Sequence, residues 1–123
     1  MNKLNNSVSF NGRISYASDL HPRLVALAER SHMSTILGDH YDAKVESDYG
    51  ICTDGSIIPA VQVIVKRIGL SFADKIKLLR SGTSTKEHLR CRLDCDPITE
   101  TTFDDMAKIG MTKIKSRLAG RVK

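Results

Sequence analysis

A long β-hairpin in the middle of the chain constrains the fold more than any other feature of the sequence. Asp54-Gly55 favours a tight turn and separates Tyr41–Thr53 from Ser56–Ile68. The second arm is rich in β-branched residues and alternates in polarity, as a half-buried strand does. Its buried face would consist of Val61, Val63 and Val65, and its other face of Ala60, Gln62, Ile64 and Lys66.

The register of this hairpin has two solutions. A two-residue turn sets Val45 opposite Ile64, on the less apolar face. A bulge near Pro59 would instead shift the pairing by one residue. The sequence does not decide between them.

A second hairpin is predicted at the N-terminus, over Val8–Tyr16, because Asn11-Gly12 stands between two short β-prone runs. Apolar residues at helical spacing follow in Ser18–Ser31. Asp19 would cap a helix there, and Pro22 is tolerated in a first turn. The same proline also allows a loop followed by a short helix.

Further along, Lys75–Arg80 fits either a short helix, capped by Ser71 and ended by Gly82, or a strand. His88–Cys95 has a strict period of two and predicts a half-buried strand. Its inward residues would be Leu89, Cys91, Leu93 and Cys95, and its outward residues His88, Arg90, Arg92 and Asp94.

After Pro97, a helix is predicted to start near Thr101 or Thr102 and to end near Gly120, with acids first and cations last, as the helix dipole favours. Its apolar stripe consists of Phe103, Met106, Ala107, Gly110, Met111, Ile114 and Leu118. The predicted fold is therefore a single α+β domain over residues 1–123. It has an N-terminal β-hairpin, an antiparallel sheet of about five strands, and a C-terminal amphipathic helix that packs on the sheet or on a dimer partner.

The charge of +5 is concentrated in the second half of the chain. Residues 1–61 hold 5 Lys or Arg and 7 Asp or Glu, whereas residues 62–123 hold 14 and 7. Such asymmetry favours a polyanionic partner, of which nucleic acid is the commonest. Three Cys, an odd number, and the lack of an apolar leader or span favour a reducing interior and no membrane partner.

No constellation points to catalysis. His88, Cys91 and Cys95 have the spacing of metal ligands on a helix, but on a strand His88 points away from both thiols. There is no nucleophile elbow and no Walker loop. We therefore expect no enzyme activity, metal, cofactor or small-molecule substrate.

The outward cations of the strand suggest a surface for RNA. Arg90 and Arg92 would share an exposed sheet face with Lys66 and Gln62, and a one-sided sheet of this kind suits a phosphate backbone. In the alternative interpretation, the two arginines pair with acids of neighbouring strands, such as Glu46 or Asp48. Aromatics make up only 5% of the chain, which favours backbone contacts over base stacking.

The order of these elements resembles that of the coat proteins of small single-stranded RNA bacteriophages, the levivirus-like coat proteins, which have similar length. The stretches that carry the resemblance are Val8–Tyr16, Ala28-Glu29-Arg30-Ser31, Tyr41–Ser47, Ala60–Ile68, His88–Cys95 and Thr102–Leu118.

The resemblance implies a homodimer that assembles into an icosahedral shell, located in the virion and, during assembly, in the bacterial cytoplasm. The sheets would face the RNA inside, with Lys44 and Lys77 added to the RNA-facing residues. The helix would lie outside and interlock with its mate, since one sheet cannot cover all of its apolar stripe. Its dimer-packing residues would be Phe103, Met106, Gly110, Ile114 and Leu118. The alternative function is a small non-enzymatic nucleic-acid-binding regulator or inhibitor.

Overall fold

A mixed four-stranded sheet and four helices make up residues 13–94 and 97–120, the residues that the structure, a computed structural model, describes. In chain order the elements are β1 (Ile14–Tyr16), α1 (Pro22–Arg30), α2 (Met33–Leu37), β2 (Tyr41–Ile51), β3 (Ile57–Arg67), α3 (Phe72–Ser81), β4 (Lys86–Arg92) and α4 (Glu100–Leu118). The α+β class and the C-terminal helix are confirmed. The predicted antiparallel sheet of about five strands is only partly matched, because the described sheet has four strands and one parallel pair.

The register of the central hairpin is set by its turn. Val45 lies opposite Val63, so the valines of both arms share the buried face. Three residues, 53–55, form the loop between Cys52 and Ser56, whose backbone N–H and carbonyl are 2.9 Å apart. Gly55 takes a φ of 86°, a conformation that glycine adopts without strain. The one-residue shift therefore arises at the turn, and the pairing continues through Pro59 without a bulge.

The N-terminal hairpin is matched in one arm only. Asn11-Gly12 and the first arm lie outside the described residues, and the second arm forms β1. This strand pairs in parallel with β2, with Ile14 opposite Ala43. A parallel neighbour requires a crossover, which α1 and α2 supply.

Of the two alternatives for residues 18–31, the loop followed by a short helix is correct, because α1 begins only at Pro22. His21 is the N-cap of α1, and its ring Nδ1 accepts a hydrogen bond of 3.0 Å from the Arg23 N–H. The expectation that Asp19 is the cap is wrong, because Pro22 already occupies the first helical position. The short helix α2 follows directly.

The helical alternative is correct for α3. Ser71 accepts a hydrogen bond of 3.2 Å from the Asp74 N–H, and Gly82 ends the helix in the left-handed conformation. β4 has the predicted alternation and pairs antiparallel with β3. It begins two residues before His88 and ends at Arg92, whereas Cys95 lies outside the described residues.

α4 begins at Glu100, after a capping box formed by Thr99 and Thr102. It packs on β3, β4, α1 and α2 of its own chain. The stripe residues Phe103, Met106, Ala107, Gly110, Ile114 and Leu118 are buried there, and Met111 is half-buried. The expectation that this stripe lacks a full partner within the chain is therefore wrong, and these residues offer no surface to a dimer mate.

α2 and α4 pack on one side of the sheet, and α1 packs on α4. Odd-numbered side chains in the middle of the sheet, such as Val45, Val61 and Val65, are fully buried on this side. On the opposite side, which we call the open face, lie the even-numbered residues of β2, β3 and β4. Each of these is exposed or half-buried except Ala60. The sheet thus has the one-sided character that its alternation predicts.

Candidate nucleic-acid interface

The open face carries charges of both signs, arranged by strand. Its acids all lie on β2, and its cations become more frequent towards β4. The acids are Asp42, Glu46 and Asp48, and the cations are Lys44, Lys66, Lys86, Arg90 and Arg92. How these groups pair decides where positive charge remains for a ligand.

Both arginines of the open face are held by carboxylates. Arg90 Nε donates to Asp48 Oδ2. The Tyr49 backbone N–H and Arg90 together hold the pKa of Asp48 below its usual range. Arg92 forms a bidentate pair with Asp94, with N–O distances of 3.0 and 2.8 Å. The interpretation in which the arginines pair with acids of other strands is therefore correct for Arg90, whose partner Asp48 it named. For Arg92 it is wrong, because the partner Asp94 lies two residues further along the chain.

The Glu46 carboxylate contacts two more of the predicted RNA-facing residues, Lys44 and Gln62. Lys44 Nζ lies 3.5 Å from one of its carboxylate oxygens. Gln62 Nε2 donates to the other oxygen over 2.9 Å. Lys44 therefore contributes little net positive charge to the open face, and the uncharged amide of Gln62 is already engaged.

Lys66 is in a different position. In the sheet it lies between Asp42 on β2 and Lys86 on β4. The Asp42 carboxylate is already engaged by Arg13, through a backbone hydrogen bond of 3.1 Å and an ion pair of 3.6 Å. Among the described residues, neither Lys66 nor Lys86 has an ion-pair partner.

Lys66 and Lys86 therefore form a like-charged pair directly across two neighbouring strands, which we call the lysine pair. Like charges in this position destabilise a sheet. Together with Lys44, Ser15, Ile64 and Asp42, whose carboxylate is held by Arg13, they line a shallow depression of the open face. The positive charge left for an anion is concentrated here and not at the arginines.

Two lysines lie elsewhere than the sequence predicts. Lys77 lies on α3 and is not part of the sheet face, because residues 72–81 are a helix. Lys86 is absent from the predicted site, since the strand was expected to begin at His88. The signal for Lys86 is present in the sequence, because the alternation of His88 and Arg90 extends back to it.

His88 and Cys91 lie on opposite sides of β4, as the strand alternation predicts, and Cys95 lies outside the described residues. His88 is exposed on the open face, while Cys91 is half-buried on the opposite side. In residues 13–94 and 97–120, no three His, Cys, Asp or Glu side chains are grouped as metal ligands would be. Within the same residues, no helix has the length and apolar character needed to cross a membrane.

Comparisons with known proteins do not identify a relative. No protein-family model, no curated protein and no solved structure matches this chain. The resemblance to phage coat proteins therefore stays a prediction from the order of elements.

Proposed function

We propose that this chain is a non-enzymatic protein that binds RNA through its phosphate backbone, at the open face of the sheet. The lysine pair is the observation that carries the proposal. Lys66 and Lys86 face each other without an acidic partner among the described residues. An arrangement that costs the sheet stability is readily explained when its role is to hold an anion.

The geometry suits a phosphate group. Side chains directly opposite each other in antiparallel strands have Cβ atoms about 5 Å apart, so two flexible lysines can reach one phosphate together. Arg90 and Arg92 lie further along β4, half-exposed and already oriented by Asp48 and Asp94. They would extend the RNA-binding surface along β4.

The same face suits binding without sequence preference. None of its even-numbered positions on β2, β3 and β4 holds Phe, Tyr or Trp. Without such rings there is little on which bases can stack. We therefore expect an affinity dominated by counterion release and strongly dependent on salt.

The test is a double substitution, Lys66→Gln with Lys86→Gln. Binding to a fluorescent single-stranded RNA is followed by anisotropy at several salt concentrations. Loss of the one phosphate that the two lysines would share should reduce the slope of log K against log salt by about 0.7. The same substitutions should raise the free energy of unfolding slightly, by about 0.5 kcal/mol, because they remove a like-charged pair.

The matched control is Lys108→Gln with Lys115→Gln on α4. Both side chains are exposed on the helix side of the molecule, and the change in net charge is the same. This variant should keep the wild-type slope. Equal losses in the two variants would contradict the proposal, because net charge alone would then account for the binding.

Packaging of RNA inside a shell is the second candidate. It is favoured by the placement of α2 and α4 on the side of the sheet opposite the open face. If the open face were turned towards the inside of a shell, it would present the lysine pair to the RNA. Protein expressed alone would form large particles with nuclease-protected RNA, visible by electron microscopy. A clean dimer, twice the 13.6 kDa of the chain, would contradict it.

A further inference from the structure

Two exposed apolar patches lie at opposite ends of the sheet. The first, the tip patch, is formed by Tyr49, Ile51 and Ile57 near the turn of the β2–β3 hairpin. Their exposed fractions are 60, 71 and 70%. Ile51 lies directly opposite Ile57, so the two side chains form one rung of apolar surface. Apolar residues grouped in this way on a surface mark an interaction site.

The second, the α3 patch, is formed by Phe72, Ile76 and Leu79. Their spacing of four and three residues places them on one side of the helix. Phe72 is 78% and Leu79 is 82% exposed, and Ile76 is half-buried. Leu78 is the one fully buried residue of α3, so the helix turns most of its apolar surface away from the core.

The two patches cannot meet within one chain. α3 follows the last residue of β3, whereas the turn of the hairpin precedes its first. The 11 residues of β3 span about 36 Å. A contact between the patches therefore requires two molecules.

The charges around the patches have opposite signs. The segment Val45–Pro59 contains three acids and no Lys or Arg. Glu46 and Asp48 are paired with Lys44 and Arg90, whereas Asp54, at the turn itself, has no cation beside it among the described residues. α3 contains Lys75, Lys77 and Arg80 against the single acid Asp74. Opposite charges around two apolar patches favour contact between the two different patches. Like charges disfavour contact between two copies of the same patch.

We propose that the tip patch of one copy docks on the α3 patch of a second copy, in a head-to-tail contact. The partner is another copy because the chain itself carries both halves, matched in apolar character and in charge. A head-to-tail contact leaves one patch free at each end, so it propagates into a ring or an open filament. This inference is independent of RNA binding, which uses the open face.

The first experiment measures mass against concentration. Nuclease-treated protein is studied by sedimentation velocity from about 1 to about 300 µM, the range of a small interface. The mean mass should rise with concentration for the wild type. It should stay that of a monomer for an α3 variant, Phe72→Gln with Leu79→Gln, and for a tip variant, Ile51→Thr with Ile57→Thr. These replacements are exposed and keep the helix or strand propensity.

The decisive experiment mixes the two variants in equal amounts. The α3 variant retains an intact tip patch, and the tip variant retains an intact α3 patch. A head-to-tail contact therefore predicts a 1:1 complex that grows no further, although neither variant associates alone. Ile109→Gln, at an exposed apolar position of α4, is the control and should associate like the wild type.

Several outcomes would overturn the inference. A wild-type protein that stays monomeric throughout would exclude a second copy as the occupant. Self-association of either variant alone would show a symmetric contact, and a mixture without a complex would exclude pairing of the two patches. Binding of a monomeric wild type to anionic lipid vesicles, lost in the α3 variant, would assign the α3 patch to a membrane surface instead.

Discussion

Gly110 is the residue at which α4 comes closest to the sheet. A Cβ atom at this position would lie 2.7 Å from Leu89 Cδ1 and 2.7 Å from Val65 Cγ2. Val65 is fully buried and has no space into which to move. A glycine inside a helix costs about 1 kcal/mol relative to alanine, and the close packing of α4 on β3 and β4 offsets that cost.

We therefore expect Gly110→Ala to destabilise the protein, by about 1 to 3 kcal/mol, because the added methyl group overpacks the core. Urea unfolding followed by circular dichroism measures the change. Gly50→Ala is the control, since a Cβ there meets nothing within 4 Å, and it should be neutral. A Gly110→Ala protein at least as stable as the wild type would show that the helix can move outward without cost.

At the scale of single residues, only part of the candidate site could be predicted from the sequence. The alternation of β4 predicts which face Arg90 and Arg92 occupy, because successive side chains of a strand point to opposite faces of the sheet. It does not predict the net charge of that face, because Asp48 is 42 residues from Arg90 in the sequence. Similarly, the unpaired state of Lys66 depends on Arg13, which holds the Asp42 carboxylate from a distant segment.

Among the elements, α3 is the one with the weakest attachment to the rest of the fold. It has ten residues, of which only Leu78 is buried, whereas α4 buries six. A helix of this length is marginal in water without tertiary packing. Its capping by Ser71 and its left-handed end at Gly82 fix its boundaries without adding apolar contacts.

Hydrogen exchange should therefore separate the two helices. In dilute protein we expect the amides of α3 to exchange faster than those of α4 by at least a factor of ten, because α3 can open locally while the core stays folded. Mass spectrometry of peptic fragments measures the difference, with β3 as the protected reference. Equal protection of α3 and α4 would show that they unfold as one unit.

Elements with one strong period could be predicted from the sequence, and the others could not. β4 and α4 have such a period, two and 3.6 residues respectively, over their whole length. Lys75–Arg80 satisfies both periods, so only the packing of Leu78 decides for a helix. The register of β2 and β3 depends on a loop of two or three residues, and Asp54-Gly55 fits either. The parallel pairing of β1 has no local signal at all.

At the scale of the whole molecule, two of the ion pairs join the first half of the chain to the second, with opposite arrangements of charge. Arg90 pairs with Asp48, and Arg30 pairs with Glu100 across the same division of the sequence. Three carboxyls have a pKa below the ordinary value, and the largest cause differs among them: the Tyr49 N–H for Asp48, the Ser56 hydroxyl for Asp54 and its own backbone N–H for Glu100.

These shifts set the direction of the response to acid. A carboxyl with a lowered pKa in the folded state stabilises the fold above its ordinary pKa, and this contribution disappears as the pH falls through the lower value. We expect the free energy of unfolding to be nearly constant from pH 7 to pH 5 and to decrease below about pH 4. Urea unfolding at each pH measures it. A stability that increases on acidification below pH 4 would contradict the pairing described here.

The parallel pairing of β1 with β2 also has a consequence for the order of folding. The β2–β3 ladder begins only six residues apart, at Ile51 and Ile57, and can close early. β1 must wait for α1 and α2 to bring it back across about thirty residues, a loop whose closure is entropically costly. Among the described strands, β1 thus leaves the ribosome before β2 but pairs with it only after the β2–β3 ladder has closed.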